Sequence, residues 1–388
     1  MNLLFLKWDA YGTDYMLDEW KKAGYKCLIF EFPQKTEDTR SSEELATKVA
    51  KTIIDNKIEI VFSFNYFPTV AIACKACRVK YVSWTYDSPY ILLYSKTIEY
   101  DTNYAFIFDK AEYNNFRRLG IDTVFYLPMA APVDVYDKIV MGESEKRKYS
   151  SDIAMIGSMY TEKKHHLFRH LENLDDYTMG YIDAVLEAQK KVYGVDLIEK
   201  SLTPNIIKNM QKVCPMIASG DGLESIEWVF SKYFLARKLT AIERTEMLEA
   251  LSINNKVTLY THEQTPSLKV DNKGAIDYYD ESPYAIKGAK VNLNITLRSI
   301  ISGIPLRAFD IMGNGGFLLT NYQEDFMDFF DPDKDFVYFE SKEDLIDKAE
   351  FYLKNNTARM RIAESGYRRV KEEHKYSDRV NTIIKIIS

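Results

Sequence analysis

Residues 292–322, NLNITLRSIISGIPLRAFDIMGNGGFLLTNY, hold the side chains best suited to grip an anion. A strand predicted over 290–296 runs into a loop carrying Arg298, Ser299, Ser302 and Gly303. Pro305 then opens a short helix that closes at Gly313 to Gly316, before a strand over 317–321. A helix N-terminus offers unpaired backbone N–H groups and the positive end of its dipole, and Gly303 lets a ligand approach the backbone. Arg307 falls in the first turn with Asp310 three residues on, on the same stripe, while Leu306, Phe309 and Met312 cover the other face. One reading gives Arg298 and Arg307 the diphosphate of a nucleotide and Asp310 the ribose hydroxyls. The other is a surface Arg307–Asp310 ion pair on a core helix. Spacing alone favours the second.

Other chemistry-bearing residues point to little. Cys74 and Cys77 lie well inside the periodic stretch TVAIACKACRV, as buried small residues would, and four cysteines in all are too few for a disulfide framework. His165, His166 and His170 form a cluster without a third ligand of the HExxH kind, so it reads as a solvated helix face. The 28 tyrosines and 21 phenylalanines fall mainly on strands and helix faces, where core packing accounts for them.

The elements that must position these residues follow a regular rhythm. Apolar runs predict strands over 2–6, 26–32, 59–64, 80–85, 104–109 and 123–128, two-sidedly apolar as in a parallel sheet covered on both faces, with helices in the gaps. The first helix starts near Thr13, with Thr13 and Asp14 as capping candidates. The charged, strand-free stretch 141–151 reads as a linker between a first domain, 1–140, and a second, 152–388. Strands over 152–158 and 256–261 bracket a helical insertion of about 165–252, and strands over 274–279, 290–296, 317–321 and 335–340 resume the α/β order. The fold class is therefore α/β, two doubly wound domains in tandem with a crevice at their strand ends. With 388 residues, 46% hydrophobic, 28% charged and 51 basic against 57 acidic side chains, disordered, membrane-spanning and globally basic nucleic-acid-binding classes are disfavoured. The start MNLLFLKWDAYG reads as a strand, not a signal peptide, and a cytoplasmic location is expected.

The run RAFDIMGNGGFLLT resembles the nucleotide-binding motif of CgeB-like (spore-maturation type) glycosyltransferases of the two-domain GT-B class. SWTYDSP at 83–89, FYLPMAAP at 125–132, DIAMIGSMY at 152–160, YDESPYAIKGAKVNLNIT at 279–296 and HKYSDRV at 374–380 agree with the family in the same order. The resemblance spans both ends of the chain but not the insertion. It implies transfer of a sugar from a nucleoside-diphosphate donor, UDP-sugar favoured, to a hydroxyl acceptor such as a glycan or a protein side chain.

Residue by residue, the resemblance places Arg298, Ser302, Gly303, Arg307 and Asp310 on the donor, where relatives usually carry Glu in place of Asp310. Gly157 and Ser158, after the first strand of the second domain, approach the donor phosphates, and His262 and Tyr278, on strand ends, grip the base. In the first domain Asp87 follows the fourth strand where such enzymes carry a catalytic His or Asp, with Asp9 as second candidate base; the bland reading of Asp87 is a turn cap before Pro89. Gly12, Tyr86 and Tyr90 are acceptor-side candidates. No cofactor and no metal are expected, since a helix dipole and basic side chains can neutralise a leaving diphosphate. DPD at 331–333 sits in a turn away from the cleft-facing strand ends. No nucleic-acid partner is expected, and the helical insertion offers a surface for homo-oligomerisation. Alternatives are a nucleotide-sugar epimerase of GT-B fold and a non-catalytic sugar-nucleotide- or protein-binding module.

Overall fold

In the computed structural model, which describes residues 1–33, 38–163 and 166–388, six apolar runs form one parallel sheet. These are β1 (Asn2–Lys7), β2 (Lys26–Glu31), β3 (Ile60–Phe64), β4 (Lys80–Thr85), β5 (Asn103–Ile107) and β6 (Val124–Tyr126), in the order β2-β1-β3-β4-β5-β6. Leu4 sits in register with Leu28 on one side and Val61 on the other. Leu3, Leu4, Phe5, Val61 and Phe62 are fully buried, which is why β1 and β3 read as unbroken apolar runs. The edge strand β2 departs from the expectation of cover on both faces: Leu28 and Ile29 remain 37% and 43% exposed. Successive strand residues point to opposite faces, so neither face of β2 is fully covered at this point.

A second parallel sheet contains β7 (Ser151–Ile156), β8 (Val257–Tyr260), β9 (Asp271–Asn272), β10 (Ala289–Asn294), β11 (Leu318–Asn321) and β12 (Val337–Phe339), ordered β12-β11-β10-β7-β8-β9. Its core joins Ile153, Leu259, Val291, Leu319 and Phe339 to Leu248 and Leu251 of the helix Ala236–Ser252. The strand expected over 274–279 does not form. Asp277 Oδ1 instead accepts the N–H groups of Tyr279 and Asp280 at 2.7 Å each, and Gly274 has φ +78. Such local side-chain bonds satisfy the donors a ladder would have used.

The charged stretch read as a linker is a helix, Glu143–Tyr149, with Glu143 and Glu145 in its first turn and Lys146, Arg147 and Lys148 in its last, the distribution a helix dipole favours. Tyr149 stacks on Tyr284 at 6.0 Å. Between β7 and β8 lie the helices Asp176–Lys190, Leu197–Ser201 and Pro204–Val213 and a continuous helical run over 226–252 whose segment Phe230–Leu235 is π-helical. His166 precedes, and His170 lies in, a 3-10 helix, Leu167–Asn173, while His165 lies outside the described residues. At three residues per turn, positions i and i+4 diverge by about 120°, so these two do not share a helix face as expected.

The chain divides into two units. Met1–Pro132, Ser219–Glu224 and His374–Ser388 form the first; Val133–Ala218 and Ser225–Glu373 form the second. The hexapeptide Ser219–Glu224 joins the first unit through the bridge Ser95–Gly222 and the pair Arg40–Asp221 at 3.0 Å. The terminal helix Tyr376–Ile387 joins it through Arg379, which donates to the carbonyls of Pro128 and Met129, each at 2.8 Å. Among the described residues no helix is long and apolar enough to cross a membrane.

Candidate functional site

In the second sheet, successive strands β8 and β9 extend to one side of β7 while β10, β11 and β12 build out on the other, so the order reverses between β7 and β10. Loops at the carboxyl ends of strands flanking such a reversal line the usual ligand crevice of an open α/β sheet. Here they are Gly157–Ser158 after β7 and the stretch 297–303 after β10, leading into the helix Leu306–Gly313. Pro305, at φ −69 and ψ 152, is the N-cap of that helix and turns the chain into it. The carbonyls of Ser302 and Gly303 are tied at 3.0 Å to the Asp325 N–H and to Gln323 Nε2, which holds the buried loop in place.

Arg307 is partly exposed, at 24% of its side chain, and its Nη1 donates to Ser282 Oγ at 2.9 Å. The same nitrogen lies 3.6 Å from Asp310 Oδ2, so the pair exists, but it is not a surface pair: Asp310 is 1% exposed. Asp310 Oδ1 accepts the phenol hydroxyls of Tyr136 and Tyr278 at 2.8 and 2.9 Å. Among the described residues no donor hydrogen-bonds Oδ2. Burial pushes the carboxyl above its ordinary range, opposed by Arg307 and by the two phenols. Tyr278 therefore stands on a turn, not on the strand end expected, and its hydroxyl is committed to Asp310.

Arg298 also departs from expectation. Its Nε donates to Glu243 Oε2 at 2.8 Å, its Nη1 to the Val192 carbonyl at 3.2 Å and its Nη2 to the Lys190 carbonyl at 3.3 Å, over the Tyr193 ring at 3.9 Å. A guanidinium only 7% exposed needs a paired carboxylate, and Glu243 takes the charge a phosphate was expected to take. Gly157 donates its N–H to Tyr260 O at 3.0 Å, and Ser158 Oγ donates to Glu162 at 2.6 Å. His262 is exposed, two residues beyond β8.

Sequence reasoning missed Tyr136 and Arg244. Arg244, on the helix Ala236–Ser252, donates from Nε to the Ile295 carbonyl at 3.2 Å and from Nη1 to the Ser158 carbonyl, bridging the loops that follow β7 and β10. Thr240 Oγ1 accepts the Arg298 N–H at 2.9 Å from the same helix. The spacing of Thr240, Glu243 and Arg244, polar residues three and four apart on the stripe that continues through Met247, Leu248 and Leu251, was the available signal.

The first sheet reverses between β1 and β3. Asp9 follows β1 and Asp87 follows β4, both exposed. Asn65, at the end of β3, is buried with φ +57, and it too was missed. Its Oδ1 accepts the Tyr86 N–H at 3.2 Å and its Nδ2 donates to Asp87 Oδ2 at 2.7 Å, so one side chain fixes both the backbone and the carboxylate of that loop. Tyr86 stacks on Trp8 at 6.4 Å and Tyr90 leads into the 3-10 helix Ile91–Tyr94. Gly12, expected on the acceptor side, is buried; it is the N-cap of the helix Thr13–Lys22 at φ +79, the role expected of Thr13 or Asp14. The Tyr376 hydroxyl stands where a Cβ on Gly12 would lie. Among the described residues no three His, Cys, Asp or Glu side chains are grouped as a metal ion would require.

Residues 240–385 match the family model described as glycosyl transferase-like, a stretch that includes Arg244, Arg298, Arg307 and Asp310. No curated protein matches the chain by sequence. Similar solved structures include a glycosyltransferase from Rickettsia africae, at 11% identity over 99% of this chain and 97% of that one, with a TM-score of 0.54. Anabaena HepE, solved with UDP-glucose, aligns at 10% identity over 99% and 100% with a TM-score of 0.56. Sucrose-phosphate synthase from Thermosynechococcus elongatus aligns at 9% identity over 100% and 99% with a TM-score of 0.54. Together with the two doubly wound sheets, these likenesses give the architecture as GT-B.

Proposed function

We propose that the chain is a glycosyltransferase, of the CgeB-like kind its motifs resemble, that moves a sugar from a nucleoside-diphosphate donor to a hydroxyl on a glycan or a protein side chain. One observation carries this reading: the partly exposed Arg307, the amino end of its helix and the Asp310 oxygen that lacks a donor among the described residues all lie beside the strand reversal of the second sheet. Arg307 and the helix N-terminus receive the diphosphate, and Asp310 Oδ2 accepts a ribose hydroxyl. The glycosyl transferase-like match over the same residues supports the class, and HepE with UDP-glucose favours a uridine nucleotide.

On the acceptor side, Asp87, oriented by Asn65, takes the proton of the attacking hydroxyl, with Asp9 as second candidate and Tyr86 and Tyr90 as walls. The acceptor oxygen bonds to the anomeric carbon as the bond from that carbon to the diphosphate oxygen breaks, and the nucleoside diphosphate leaves with the electron pair. Its growing charge is met by Arg307 and the helix dipole, without a divalent ion. A thermal-shift screen of UDP, GDP, dTDP and CMP sugars, followed by assay of nucleoside-diphosphate release with glycan and peptide acceptors, tests this. Acceptor-stimulated release is expected. An altered sugar without release would indicate an epimerase, and binding without either change would indicate a binding module.

A further inference from the structure

Arg244 is buried, yet its guanidinium bonds to backbone carbonyls and to Tyr160 rather than to a carboxylate. Burial pulls its pKa down, against the nearby Tyr160, Glu162 and Glu243. Both carboxylates have other engagements: Glu243 pairs with Arg298, and Glu162 accepts from Ser158 Oγ at 2.6 Å and from the Met159 N–H at 3.0 Å. A buried cation is costly to keep, and leucine or methionine would fill a helix face at less cost; what Arg244 supplies in return is a fixed geometry.

That geometry concerns one peptide group. Gly157 is anchored through its N–H to Tyr260 O at 3.0 Å, and Ser158 through its carbonyl to Arg244 Nη1. Between these anchors the Ser158 N–H has no acceptor among the described residues, and Gly157 and Ser158 are half-exposed. Arg244 Nη1 lies 3.4 Å from where a Cβ on Gly157 would stand, so the charge sits directly beneath that loop. Through Nε the same guanidinium holds the Ile295 carbonyl at 3.2 Å, at the end of the strand leading to Arg298 and onward to Arg307.

We infer that Arg244 is a positioning residue for the donor diphosphate: it locks the Gly157–Ser158 loop to the end of β10, so that the Ser158 N–H and the charge beneath it face a phosphate. This rests on the donor reading above and adds a second phosphate contact, independent of Arg307. Recognition of this kind is specific to the diphosphate and indifferent to the nucleoside.

The test is calorimetric binding of UDP and of uridine to the full chain. Arg244→Gln keeps hydrogen-bonding capacity and removes the charge; it is expected to lose tenfold or more in UDP affinity with uridine affinity unchanged, and Arg244→Lys is expected to recover part of the loss. Unchanged UDP affinity in Arg244→Gln, or a parallel fall for both ligands, overturns the inference. Should that variant not fold, hydrogen exchange on the wild-type protein decides: UDP but not uridine is expected to protect the Ser158 amide, and equal protection or none overturns it. A wild-type protein that binds no nucleoside diphosphate defeats the donor reading itself, an outcome distinct from these.

Discussion

Replacing Arg307 by alanine removes the one partly exposed cation in the first turn of its helix and deprives buried Asp310 of its countercharge. Affinity for the nucleotide donor is expected to fall at least about tenfold, or roughly 1.4 kcal/mol; equilibrium binding that stays near wild type would remove Arg307 from the diphosphate. Asp87→Asn is expected to leave donor binding intact and to lower acceptor-dependent release by about a hundredfold, the scale of a lost general base; steady-state kinetics with saturating donor would show it. Asn65→Ala, which removes the hydrogen bond from Asn65 to the Asp87 carboxylate, should lower the same rate less. Which of these roles could be read in advance follows from distance along the chain. Arg307 and Asp310 share a helix stripe, so their pairing was legible in spacing. Arg298 meets Glu243 across 55 positions and Asn65 meets Asp87 across 22, contacts that only the folded chain creates.

At the level of elements, most strands were legible because parallel strands buried on both faces are written as short apolar runs. The misreadings have local causes. Glu143–Tyr149 looked like a linker because every residue before Tyr149 is polar or charged, yet its charge order suits a helix, and residues 274–279 looked like a strand although Asp277 claims the Tyr279 and Asp280 amides. The first helix supplies a prediction: Gly12→Ala forces a side chain into a left-handed conformation against Tyr376, at an expected cost of about 1 to 3 kcal/mol measurable by denaturant titration. A second concerns Glu281, whose carboxyl is held down at about 2 by hydrogen bonds from Lys148, the Asp277 N–H and Tyr149. A pKa lower in the folded state stabilises above the ordinary value, near 4.5, and that contribution fades as pH falls toward 2. The Tm difference between wild type and Glu281→Gln should therefore be full above about pH 5 and shrink below it; a difference independent of pH would argue against the assignment.

For the whole molecule, the division into two compact units predicts two unfolding transitions, and a nucleotide bound by the second should raise only that unit's transition. At a hundred times Kd the gain is about 2.7 kcal/mol. Scanning calorimetry with and without UDP would reveal this, and a shift confined to the first unit would contradict it. Truncation after Glu373 should loosen the first unit selectively, because Arg379 no longer holds the Pro128 and Met129 carbonyls; faster protease cleavage within residues 1–132 is the readout.

The polypeptide passes from one unit to the other after Pro132, Ala218, Glu224 and Glu373. A gene crossover at any single one of these points would deliver a first unit without its own terminal helix and, after Pro132 or Ala218, without the hexapeptide anchored by Arg40 as well. A chimaera that exchanges the first unit must therefore transplant three pieces together.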